Sequence, residues 1–410
     1  MRGLAQTLGS SPATVNLAYR ILRERGLIVT DGRRGTRVAP RPPLLGATAR
    51  DPASASAHAR GVRDLSSGLP DPALLPSIAD ALHRVDVGAV LTMSESDRAD
   101  PALIELTAAA FAADGISAAH LAVTSGAFDA IERVLGPHTR PGDRVLVEDP
   151  TYGAFRDLIR ALGLVCAPVP IDDEGPLPGP FAAALRSGVA AALLTPRAQN
   201  PSGAARSARR AEELSHALAH HRGVLLIEDD HAGPVGGAPM FVASGTDRWA
   251  VIRSTSKTLH PDLRLAVMAG DAVTIAHVQG RQALGPRWVS PILQATVVEV
   301  LRDPGLRAVT ERARGTYARR RAALIEALAA HGITAQGRSG LNVWVPVREE
   351  TPTVAALEAA GFVVAPGERF RFAAPPGIRV TVATLPEAQA LAVADAIATA
   401  QRPAAAAHRY

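Results

Sequence analysis

STSKTLHPDLRLAVMAG, residues 254–270, contains Lys257, the one lysine in a chain of 410 residues that otherwise meets its need for cations with arginine. Arginine replaces lysine wherever only a positive charge is wanted, yet it stays protonated and offers no free amine to a carbonyl carbon. A lysine kept against such a bias marks amine chemistry, Schiff-base formation above all; chance survival on a surface is the competing reading. Apolar runs flank the stretch, WAVIR at 249–253 and LAVMAG at 265–270, so the lysine falls just beyond the end of a strand.

The same texture extends outward in both directions. RVLVEDP (144–150), AALLTP (191–196) and GVLLIEDD (223–230) are short apolar runs, separated by amphipathic stretches such as ARRAEELSHALAHH (208–221). Such alternation predicts an α/β domain with a mainly parallel central sheet. Ligands bind such sheets at the carboxyl ends of the strands, so the residues that end successive runs are expected to converge. Those ends carry Asp149 to Tyr152, Gln199 to Gly203, Glu228 to His231, and Ser254 to Lys257. An amine, a carboxylate, a carboxamide and an aromatic ring at one edge suit a cofactor with an aldehyde, a pyridine nitrogen and a flat ring. Arg264 adds a fork of donors suited to a phosphate. Beyond residue 305, ARRRAALIEALAAHGI (318–333), GLNVWVPV (340–347) and IRVTVA (378–383) predict a smaller α/β lobe. The expected organisation is a module over 1–39, a linker over 40–63, a large domain over 64–305 and a small domain over 306–410.

The N-terminal end has a different character. From Met1 to Arg63 there are eleven arginines against Glu24, Asp31 and Asp51, a net of +8, whereas the rest of the chain carries a net of −3. A basic arm on a nearly neutral body points to a polyanion partner, with a solvated basic tail as the plain alternative. Within it, Leu4 to Leu8 predicts a short helix stopped by Gly9. Ser11 and Pro12 then open a second helix, whose Val15, Ala18, Tyr19 and Leu22 share one face. Thr14, Asn16 and Arg20 lie off that face. LIVT, DGRRG and TRVA (27–39) follow as a two-stranded ribbon with Arg33 and Arg34 in its turn. Residues 40–63, rich in Pro, Ala, Ser and Gly, show no periodicity.

Composition sets outer limits. With 47% hydrophobic and 20% charged residues over this length, the chain is an ordinary globular one of at least two folding units, not a disordered tail. Cys166 is alone and so closes no internal disulfide, the opening MRGLAQTLGSS lacks the apolar core of a signal peptide, and no run of about 18 apolar residues is present. These features point to the cytoplasm and away from the membrane. No metal site is predicted.

The site residues carry a resemblance. STSKTLHPDLRLAVMAG is similar to the S-x-S-K-x-x-x-P-G-x-R segment of fold-type I, class I/II aminotransferases, with Asp262 at the usual glycine, and the likeness extends over residues 64 to 400. The resemblance implies pyridoxal 5′-phosphate as cofactor, joined to Lys257 as a Schiff base. It also implies Ser125, Gly126, Ala127, Ser254 and Arg264 around the phosphate, Tyr152 on the ring, Asn200 at the ring oxygen and Asp229 at the pyridine nitrogen. His231 stands where a tyrosine commonly helps Asn200, and Met93 lies near a tyrosine position in LTMSESDRADPALIEL. Arg379 in GIRVTVA resembles the arginine that grips a substrate carboxylate.

The first 39 residues resemble the later part of a GntR-type winged helix-turn-helix, the chain beginning within what corresponds to that module's second helix. By that resemblance Thr14, Asn16, Arg20, Arg33 and Arg34 face double-stranded DNA. Joined by a linker to an aminotransferase-like domain that opens with GLPDPALLPS (68–77), the layout resembles the MocR-type transcriptional regulators. This implies a homodimer whose aminotransferase-like domain senses an amine or amino-acid effector by exchange at Lys257, with turnover weak or absent. Two alternatives stay open at this point: a working aminotransferase with a vestigial DNA-binding segment, and a scaffold that has lost the cofactor.

Overall fold

A computed structural model describes residues 2–24, 28–30, 35–38, 62–91 and 99–401. Arg33, Arg34 and Met93 lie outside the described residues. At the N-terminal end, helices α1 (Arg2–Thr7) and α2 (Pro12–Glu24) precede a ribbon of β1 (Ile28–Thr30) and antiparallel β2 (Thr36–Val38). Ser11 caps α2 by accepting a hydrogen bond from the Thr14 amide at 3.0 Å. Ala5 and Val15 are buried, and Thr14, Asn16 and Arg20 are exposed. Ala18, expected on the apolar face, is exposed as well.

After β3 (Arg63–Asp64) come the strands that build an eight-stranded sheet: β4 (Leu121–Thr124), β5 (Arg144–Asp149), β6 (Val165–Asp172), β7 (Gly175–Pro176), β8 (Ala191–Leu194), β9 (Leu225–Asp230), β10 (Arg248–Ser254) and β11 (Ala266–Gly270). Their order is β4-β11-β10-β9-β8-β5-β6-β7. From β10 to β6 every pairing is parallel, while β11 runs antiparallel to both its neighbours. The apolar runs are buried on both faces, as a sheet covered by helices on each side requires. Alternation assigns the faces. Val145, Val147, Leu225, Ile227, Ala250 and Ile252 pack with Ile131, Leu135 and Val278 of the helices Ala127–His138 and Ala272–Ala283. Leu146, Leu194 and Leu226 face the other way, onto Phe181, Leu214 and Leu218 of Pro178–Arg186 and Ala208–Ala219.

The small lobe holds β12 (Asn342–Pro346), β13 (Phe362–Val363), β14 (Ala365–Pro366) and β15 (Gly377–Thr381), with β15 between β12 and β14 in an antiparallel sheet. Its core joins Val343, Val345, Ile378 and Val380 to Leu324 and Leu328 of the 25-residue helix Leu306–Ala330, and to Val393 and Ile397 of Ala390–Gln401. The chain reaches this lobe before it builds the large sheet. β3 pairs in parallel with β13, and Leu65 is fully buried in the small-lobe core. No described helix is long and apolar enough to cross a membrane.

Candidate functional site

Between the carboxyl ends of β8, β9 and β10, the loop after β5 and strand β15 of the small lobe lies a cavity of about 250 Å³. Tyr152, Asn200, Asp229, His231, Ser254, Lys257, Arg264, Ala127 and Arg379 all line it. The residues expected to meet do meet. The exceptions are Ser125 and Gly126, which precede the lining residue Ala127 in the chain but do not line the cavity themselves.

Lys257 lies in the loop after β10, and its Nζ donates to the Gly68 carbonyl at 2.7 Å. Burial, assisted by the positive charge of Arg379, pushes its amine down to about 8. At neutral pH a real fraction of it is therefore uncharged.

Successive residues of β9 point to opposite faces, and so Asp229 and Asp230 meet different fates. Asp230 accepts from Arg197 Nε at 2.8 Å, Arg197 Nη2 at 2.7 Å and Arg253 Nε at 2.8 Å. Burial works against its ionised form, yet the two arginines hold it below the usual carboxylate value. Asp229 faces the cavity, and its Oδ1 is buried without a hydrogen-bond partner. Burial, then the charges of Asp230 and Glu148, push it up to about 8. Glu148, behind it, accepts from Gln199 Nε2 at 3.0 Å and is itself pushed up to about 7 by burial.

Arg379 enters from β15. It is buried, donates from Nη1 to Asn200 Oδ1 at 2.9 Å and from Nη2 to the Ser66 carbonyl, and lies over the Phe370 ring at 4.8 Å. Burial lowers it to about 10, so the guanidinium stays charged. His231 is bonded through Nε2 to the Ala198 carbonyl at 2.9 Å; the carbonyl accepts, so Nε2 carries the hydrogen. Burial, then Lys257, lowers it to about 4, which leaves a neutral ring. Tyr152 sits edge-on between Phe128 and Phe155, with centroids 5.8 and 5.7 Å away.

At the other end of the cavity, Gly126 begins the helix Ala127–His138 with φ +94°. A Cβ there would stand 3.1 Å from Arg264 Nη2, so only glycine lets the guanidinium lie against the helix N-terminus. The Ser125 amide is already spent on Asp129 Oδ2 at 2.9 Å, while Ser254 Oγ donates to Ser256 Oγ at 3.0 Å. Ser256, within the strand end Ser254 to Lys257, lines the cavity too, whereas sequence reasoning missed Gly68, Ser66, Phe128 and Thr195. Phe128 stands beside an expected residue and was within reach, but Ser66 acts through a backbone carbonyl that its letter does not disclose.

The class I and II aminotransferase family model matches residues 60–397. The vitamin B6 salvage pathway transcriptional repressor PtsJ of Salmonella typhimurium is 37% identical over 95% of this chain and 90% of its own. This chain is a MocR-type member of the class I and II aminotransferase family. The HTH-type transcriptional regulator YdcR of Escherichia coli, another relative of this MocR-type chain, is 29% identical over 88% of this chain and 84% of its own. The fold is shared with LysN, the α-aminoadipate aminotransferase of Thermus thermophilus, at a TM-score of 0.73 and 22% identity, covering 84% of this chain and 92% of that one.

Pyridoxal 5′-phosphate is the cofactor of this MocR-type chain, and the cavity fits it. A buried carboxylate oxygen without a donor matches a pyridine N–H, an amine of lowered basicity matches an aldehyde, and an arginine against a helix N-terminus matches a phosphate.

Proposed function

We propose that the pocket of this regulator senses a small amine or amino acid and relays its occupancy to DNA bound by the N-terminal module. When bound, pyridoxal phosphate supplies an electrophilic carbon for amines and a ring that withdraws electrons. The residues do the rest. Lys257 would hold that carbon through its amine, which burial keeps partly uncharged, and would be the group with which an incoming amine competes. Asp229 would keep the ring nitrogen protonated, Tyr152 would pack on the ring face, and Asn200 would donate to the ring oxygen from its amide nitrogen, beside His231, whose Nε2 hydrogen is taken by the Ala198 carbonyl. Arg264, Ser254 and the amides of Gly126 and Ala127 hold the phosphate, Ser125 supporting the turn through Asp129. Arg379 receives the effector carboxylate after giving up Ser66 and Asn200. Thr14, Asn16 and Arg20, exposed on α2, contact DNA together with Arg33 and Arg34, and two copies pair so that two arms reach one operator in the cytoplasm. The divisions near 39 and 305 mark the module's end and the start of the small lobe, while Arg63 to Leu65, at the end of the linker, already pack on the small lobe.

The observation that carries this reading is the buried, unpartnered Asp229 oxygen in the same cavity as the chain's single lysine. The test is the visible spectrum of the purified protein with pyridoxal phosphate. A band that borohydride removes, absent in Lys257→Ala, is expected; no band in the wild type overturns the reading. A second reading makes the cofactor itself the signal. It is favoured because Arg379 already holds two partners from its own chain, and because the relative PtsJ is named for vitamin B6 salvage. DNA affinity that responds to pyridoxal phosphate alone, with no further change on adding amino acids, selects it.

A further inference from the structure

The residues that follow the linker run directly through the effector cavity. Leu65 is locked into the small lobe: its amide donates to the Val363 carbonyl at 2.7 Å and its carbonyl accepts from the Thr381 amide at 2.8 Å. Asp71 is locked at the far end, its amide donating to Tyr317 Oη at 3.1 Å and its Oδ2 accepting from Arg320 Nη1 at 2.9 Å. Between these anchors, residues 66–70 cross the mouth, and Ser67, Gly68 and Leu69 line the cavity. Their hold on it consists of two backbone carbonyls. Ser66 O accepts from Arg379 Nη2, and Gly68 O accepts from Lys257 Nζ at 2.7 Å. Gly68 has φ +66°, and a Cβ there would lie 3.3 Å from Arg379 Nη2, so the strap rests on both cationic groups at once.

We infer that residues 66–70 are a strap held by Lys257 and Arg379, released when the cofactor or an effector takes those two groups, and that this release carries the state of the pocket to the linker. The inference rests on the cofactor-binding reading above. Lys257 Nζ, now bonded to Gly68 O, would leave that carbonyl to engage the cofactor's carbon, and a carboxylate drawn to Arg379, whose Nε has no partner, would compete with Ser66 O for the guanidinium. Each bond so lost is a charge-assisted one, among the stronger kinds. Upstream, the strap is separated from the linker by the Leu65 anchor, by the pairing of Arg63–Asp64 with Phe362–Val363, and by the Arg63 bonds to the carbonyls of Gly361 and Thr384, both at 2.9 Å. A change at Gly68 therefore acts a few residues from where the tether to the N-terminal module begins. The coupling is reciprocal: whatever shifts the strap through the linker changes the affinity of the pocket by the same factor.

The test is hydrogen–deuterium exchange of the full chain, with pyridoxal phosphate as the probe and its visible band recorded in the same samples. The Leu69 amide donates to Ser67 Oγ at 3.4 Å, a bond made within the strap, so release of the two carbonyls is expected to loosen it and to quicken exchange over residues 67–70, read at Ser67, Gly68 and Leu69, roughly tenfold once the band has formed. Lys257→Ala is expected to show the fast exchange without cofactor and no response to it. A band with unchanged exchange over 67–70, or slow exchange in Lys257→Ala, overturns the strap while leaving cofactor binding intact. No band in the wild type overturns both.

Discussion

Lys257 and Asp229 are charged groups placed where charge is costly, and each has a pH signature. The Lys257 amine, lowered to about 8 by burial and by Arg379, reacts only when unprotonated. Capture of pyridoxal phosphate by the cofactor-free protein is therefore expected to quicken roughly tenfold from pH 7 to pH 9 and then level off, as followed by stopped-flow absorbance. For Asp229 the sign runs the other way. Its folded value, about 8, lies above that of an exposed aspartate, so between pH 4 and 8 the folded state binds the extra proton and stability falls as pH rises. Asp229→Asn removes this penalty. Cofactor-free Asp229→Asn is expected to be more stable than wild type by about 3 kcal/mol at pH 8, with the gap closing toward pH 4, while its affinity for pyridoxal phosphate falls. Denaturant melts at the two pH values check the first half, and titration of the visible band checks the second.

Two elements set how the lobes and the phosphate end are held. Asp149, at the end of β5, reaches across to the small lobe and accepts from the amides of Phe372, Ala373 and Ala374 at 2.8, 2.8 and 2.9 Å. Beside it the Thr151 amide donates to the Phe370 carbonyl at 2.8 Å, the residue whose ring lies under Arg379. Asp149→Ala takes the shared acceptor from three amides, those of half-buried Phe372 and Ala374 and of exposed Ala373. It is expected to cost about 1–3 kcal/mol, since water reaches part of these amides, and to raise exchange at Phe372, Ala373 and Ala374 while the amides of β9 stay protected. At the start of the helix Ala127–His138, Gly126→Ala forces a side chain into φ +94° and against Arg264. The expected outcome is about a tenfold rise in the dissociation constant for pyridoxal phosphate, measured by titration, with the same band at saturation.

Across the whole molecule, the separation of charge predicts a separation of labour. The first 63 residues carry the basic excess, and the body is close to neutral. Removing residues 1–61 is expected to abolish binding to the upstream double-stranded DNA, as read by a mobility or anisotropy assay, and to leave the pyridoxal-phosphate band unchanged. In the intact protein that binding is expected to weaken about tenfold or more between 50 and 200 mM salt, because arginine–phosphate contacts release counterions. A salt-independent affinity would contradict the assignment.

The sequence alone determined the periodic and chemical features of this protein. Apolar runs of strand length, separated by amphipathic helices, dictated the parallel sheet, since covered strands must be apolar on both faces. That sheet in turn placed Tyr152, Asn200, Asp229 and Lys257 at one edge. Lys257 stood out because no other residue could supply its chemistry. What depended on contacts between distant residues was decided only by the tertiary structure. Asp229 and Asp230 are adjacent and chemically identical, and only the face of β9 on which each lies leaves one bound to two arginines and the other without a partner. Arg379 reaches Ser66 across 313 residues through a carbonyl common to every residue type, and Lys257 reaches Gly68 in the same way across 189. A side-chain pattern is written in the letters, whereas a backbone acceptor acquires its role only from what folding brings beside it.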